Sequence, residues 1–141
     1  MRFTEVLAQD RIAVRRGLNI LDRMVQRMEE GHRIEILDIR TLSKFLRVFG
    51  ERYPEAEVLD LVGSIEASLD PKHGAGFVRS SRRLIQLLRN QINDEQAGPT
   101  DVELASSPML TETYAEFTRL ERKYAPQPRA VPLELDRRAH A

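Results

Sequence analysis

Arg11 interrupts an otherwise apolar line, Leu7, Arg11, Val14, Leu18, Leu21, Val25 and Met28, whose spacings of four and three alternate without a break. On a helix that spacing is a single seam facing a neighbour, so the sequence aims a guanidinium at a core. An inward polar group of this kind is either a paired structural residue or part of a binding site built inside a bundle. Other polar residues end comparable lines. Tyr53 follows Ile39, Leu42, Leu46 and Phe49, while Gln91 and Glu95 follow Phe77, Ser81, Leu84 and Leu88. Glu55 and Glu57 lie at the junction between these two stretches. If four helices alternate in direction, Arg11, Tyr53, Glu55, Glu57, Gln91 and Glu95 all fall at one end.

Two chemistries are open to such a cluster. In the first, Arg11, Tyr53, Gln91 and Glu95 satisfy one another, with an ion pair between Arg11 and Glu95, because an unpaired buried guanidinium costs several kcal/mol. In the second, carboxylates and histidines projecting into the bundle hold a metal. Imidazole donors are scarce for that role: His32 lies in a turn, His73 precedes the fourth helix and His140 is in the tail. The Arg11 charge would also repel a cation.

The elements that must position these groups are helices. The first is expected over residues 4–30, with Thr4 as N-cap and Gly31 as the left-handed stop, carrying one narrow apolar seam. The second runs from about Ile36 to Arg52 and is stopped by Pro54. The third, the shortest, carries Val58, Leu61, Val62, Ile65 and Leu69 before Asp70 and Pro71. The fourth follows Gly74 and Gly76 and continues to Gly98 and Pro99. Ser107 and Pro108 then have the form of an N-cap with Pro at the first helical position, opening a fifth, appended helix with Leu110, Tyr114, Phe117, Leu120 and Tyr124. The expected architecture is all-α: an up-down-up-down four-helix bundle over residues 1–97, an appended helix over 98–126 and a Pro-rich, weakly ordered tail over 127–141.

Composition narrows the function. At 141 residues the chain suits one core, and its 22 basic and 22 acidic residues leave no global field to attract nucleic acid or an anionic membrane. Arg79, Arg82, Arg83 and Arg89 share part of one face, but no aromatic platform accompanies them. No apolar run is long enough to span a membrane, and the lack of Cys fits a reducing cytoplasm. There is no Gly-rich phosphate loop and no nucleophile elbow, so an enzyme is not expected.

Four stretches resemble the hemerythrin-like family, also called the HHE cation-binding domain. They are residues 10–24 (DRIAVRRGLNILDRM), 45–53 (FLRVFGERY), 77–84 (FVRSSRRL) leading to 87–90 (LLRN), and 117–124 (FTRLERKY). The resemblance implies a four-helix bundle holding a non-haem di-iron centre for oxygen or iron binding and sensing. It places the family's first ligand on Arg11, its second-helix His on Pro54 and its fourth-helix pair on Gln91 and Glu95. The segment after Tyr53 is shortened by comparison. Of the family's ligand set only Glu95, and Glu57 by looser spacing, keep ligand chemistry, so the expectation is a degenerate bundle with little or no metal. An interaction or regulatory module is the alternative, with a homo-oligomer or protein partner engaged through the C-terminal helix.

Overall fold

The computed structural model describes residues 8–53, 56–68, 74–92, 105, 107–110 and 112–126. Their regular elements are all helical: α1 (Ala8–Glu29), α2 (Ile36–Arg52), α3 (Ala56–Ala67), α4 (Gly74–Ile92), a 3-10 turn (Pro108–Leu110) and α5 (Tyr114–Lys123). Thr4 and Leu7, Pro54 and Glu55, Leu69, His73, Glu95 and the tail from residue 127 lie outside the described residues.

Gly31 ends α1 as its sequence position implies. At φ +90° it adopts the left-handed conformation that costs other residues a clash, and its N–H reaches the Met28 carbonyl at 3.0 Å while the His32 N–H reaches that of Arg27 at 2.9 Å. These two bonds satisfy carbonyls that the helix end would otherwise strand. The reversed chain then enters α2, which packs beside α1.

Each of the first four helices packs against its sequence neighbours, and α4 closes against α1. Cross-links fix their directions. Arg47 of α2 bonds Glu66 of α3, and Arg83 of α4 bonds Glu57 of α3 at 2.7 Å. Arg89, near the end of α4, bonds Asn19 in the middle of α1 at 3.0 Å, while Gly74 at its start lies beside Met28. Helices α1 and α4 therefore run in opposite directions.

Helix α1 carries more buried surface than one narrow seam. Val14, Leu18, Leu21 and Val25 are buried as the first seam requires, but so are Asp10, Ala13, Gly17, Ile20 and Met24, which form a second line at spacings of three and four. The reason is that α1 touches α2, α4, the 3-10 turn and α5 together. Gly17 marks the tightest approach, where an added Cβ would fall 2.6 Å from the Phe45 ring.

The C-terminal segment is integral to the core and does not form one continuous helix. Ser107 caps the short 3-10 turn by accepting the Met109 N–H on its Oγ at 3.2 Å; after turns at Glu112 and Thr113 the chain re-enters helix as α5. Met109, Leu110, Phe117, Leu120 and Tyr124 are all buried, and the Phe117 ring meets Phe45 at 4.9 Å between centroids. The segment thus fills the face shared by α1 and α2.

Candidate functional site

Two aspartates are the deepest charges among the described residues, and each is the third residue of its helix. Asp10 in α1 is fully buried and Asp38 in α2 nearly so. A carboxylate in a helix's first turn is favoured by the partial positive charge there, but burial still demands donors for its oxygens.

For Asp10 the donors come from three separate places. One oxygen accepts the Arg52 Nε–H at 2.8 Å and the Tyr53 hydroxyl; the other accepts the Ser107 hydroxyl at 2.7 Å. Arg52 also places its guanidinium 5.7 Å from the Tyr53 ring centroid. The end of α2 and the start of the C-terminal segment are both fastened to the start of α1 through one carboxylate.

Asp38 performs the same task at the opposite end. It accepts the Tyr124 hydroxyl at 2.6 Å and the Lys123 ammonium at 2.6 Å, with Arg119 at 3.4 Å. Burial alone would raise its pKa, but bonding to Lys123 and Tyr124, with the charges of Lys123 and Arg119, outweighs that and holds the carboxyl below its usual value. The Tyr124 hydroxyl is pushed up, first by burial and then by its bond to Asp38. Arg27 lies 5.0 Å from the Tyr124 ring centroid and bonds the Ala125 carbonyl at 3.1 Å. Between the two aspartates, Arg16 grips Glu121 at 2.7 Å.

The residues singled out from sequence distribute differently. Arg11 is half-buried; the fully buried charge is its neighbour Asp10, 100° around the helix, where the C-terminal segment covers α1. Tyr53 donates its hydroxyl to Asp10, a residue outside the expected cluster. Glu57 is engaged by Arg83 on the partly exposed seam between α3 and α4. Gln91 lies in α4, with its side chain outside the description, and Pro54 and Glu95 are outside it altogether, as is the pairing of Arg11 with Glu95. His32 is exposed in the turn after α1, 3.9 Å from Glu30. Among the described residues no group of three or more His, Asp or Glu side chains is arranged to hold a metal ion.

The face of α4 that carries four arginines is largely neutralised. Arg82 bonds Glu29, Arg83 bonds Glu57, and Arg89 bonds Asn19 and approaches Asp22 at 3.6 Å. Among the described residues no helix is long and apolar enough to cross a membrane. No protein-family model, curated protein or solved structure matches the chain.

Proposed function

We propose that the chain is a degenerate hemerythrin-like four-helix bundle, run up-down-up-down, that has exchanged metal ligation for side-chain cross-links and serves as an interaction or regulatory module. The observation that carries this reading is the Asp10 carboxylate. Three protein donors already occupy its oxygens, so a metal ion at that end would have to displace Arg52, Tyr53 and Ser107 and face the Arg52 charge. The other describable positions also fit a di-iron group poorly, since Arg11 offers a cation in place of imidazole and Glu57 is committed to Arg83. Two ferrous ions need nitrogen donors and bridging carboxylates in number. No catalytic step is therefore derived through iron.

The reading is of a binding protein and not an enzyme, placed in the cytoplasm on its cysteine-free composition. Nucleic acid is disfavoured as a partner because Arg82, Arg83 and Arg89 of α4 are matched by carboxylates on α1 and α3. The test is metal analysis of protein purified from iron-supplemented cells. Iron well below one equivalent is the expected result; near-stoichiometric iron would overturn the proposal.

A further inference from the structure

The two large hydrophobic side chains that are exposed among the described residues lie on one helix and on one side of it. Leu37 keeps 70% of its surface in solvent and Val48 43%. Both belong to α2, about 16 Å apart along its axis. With the residues between them they form the line Leu37, Thr41, Lys44 and Val48, which repeats at four, three and four, the spacing by which one helix meets another. Leu42, Leu46 and Phe49 make the buried side of α2, so this is a second line on the same helix, turned outward. The Thr41 hydroxyl donates to the Leu37 carbonyl at 2.9 Å. Its polar atom is thus satisfied inside α2, and its methyl group is what remains to offer a neighbour.

Charge says what kind of neighbour fits. Elsewhere the fold matches its surface cations: Arg47 bonds Glu66, Arg52 bonds Asp10, and Arg82 and Arg83 of α4 bond Glu29 and Glu57. Arg40 and Lys44 are exposed and form no ion pair among the described residues. Glu51, past Val48, lends its charge to Arg47. The middle of the line therefore combines exposed aliphatic groups with two uncompensated positive charges. A second copy of the chain would bring the same cations instead of the anions that are missing. A bilayer calls for a wide apolar face, whereas this one is a single residue wide.

We propose that the outward line of α2 docks an acidic amphipathic helix of a protein partner, with aliphatic side chains laid against Leu37 and Val48 and Asp or Glu residues facing Arg40 and Lys44. The inference rests on the reading of the chain as an interaction module, and it assigns the face used and the chemistry of the partner. Neither the Asp10 nor the Asp38 cluster takes part.

The test uses the full chain and a synthetic acidic helix of about 18 residues, with Leu at alternating spacings of four and three and Glu beside them; a second peptide replaces every Glu with Lys. The acidic peptide is expected to shift the amide signals of residues 37–51 and to leave those of α4 in place, while the Lys peptide does not bind. Arg40→Glu combined with Lys44→Glu, and separately Val48→Asp, should weaken binding by about tenfold or more. All three side chains are exposed, so the melting temperature should stay close to that of the parent chain. Shifts centred elsewhere, equal binding of the two peptides, or an affinity untouched by the substitutions would sink the inference. Retention of the chain on phosphatidylserine vesicles without any response to the acidic peptide would also sink it, by assigning the face to lipid. A solution mass of two chains that falls to one on Val48→Asp would do the same in favour of a second copy. None of these results alters the iron measurement, so a failure here is distinct from a failure of the metal-free reading.

Discussion

Asp10 and Asp38 show how a buried charge is tolerated when the fold supplies it with donors from distant parts of the chain. Replacing Asp10 with Asn removes the charge that Arg52 needs and mismatches at least one donor. This is expected to lower unfolding stability by about 3 kcal/mol, read from the urea midpoint. Adding Ser107→Ala and Tyr53→Phe to Asp10→Leu should cost less than the sum of the single changes, because orphaned partners are removed together. Asp38 supplies a pH signature. Its folded pKa lies below the ordinary value of 3.8, so as pH falls the unfolded chain takes up the proton first. The stabilisation is complete above that value and is lost as pH drops through the folded pKa. Tyr124 behaves oppositely: its pKa is raised above 10.0, so its contribution is intact below pH 10 and declines at higher pH as the unfolded phenol ionises. Asp38→Asn should flatten the acid limb of a stability-against-pH curve, and Tyr124→Phe the alkaline limb.

At the scale of elements, the C-terminal segment is the piece whose removal matters most. It is clamped to Asp10 by Ser107, to Arg16 by Glu121 and to Asp38 by Tyr124, and between these anchors Phe117 sits on Phe45. Phe117→Ala is expected to cost about 3–5 kcal/mol, the range for a buried aromatic whose cavity cannot collapse, as measured by denaturant unfolding. Gly17 tests the packing from the other side. Alanine is the better helix former by about 1 kcal/mol. Its Cβ, however, would press on the Phe45 ring, which Phe117 holds from another side. A net loss of stability of about 1–2 kcal/mol is expected for Gly17→Ala, with the melting temperature as readout. At Gly50 the added Cβ would meet the end of the half-buried Leu59 side chain, which can turn away, and a methyl of buried Val58 at 3.3 Å, so the same substitution there should cost less than at Gly17.

At the scale of the whole molecule, the five helices α1 to α5 of the described residues are held by an apolar core with polar fasteners at both ends of the face between α1 and α2. Because these fasteners join elements far apart in sequence, unfolding should be a single cooperative transition in which α5 does not detach first. Hydrogen exchange would check this, with α5 amides expected to be protected to a degree similar to those of α1. An α5 that exchanges much faster than α1 would mean the clamps contribute little.

The end of α1 at Gly31, the span of α2 and most of the described core were legible in the chain, since an apolar repeat of three and four residues and a glycine stop act locally and do not depend on what packs nearby; the turn that splits the fifth helix before Tyr114 was not. The polar positions were only partly legible. Asp10, Ala13, Gly17, Ile20 and Met24 repeat at helical spacing, but an acid followed by two small residues reads weakly as a buried face beside the leucine-rich line through Arg11. Which side of α1 is covered was decided by the C-terminal segment, whose first anchor on Asp10 lies 97 residues further along the chain. Local pattern sets each helix; contacts across that separation choose which of its faces is buried, and only the folded chain brings them into range.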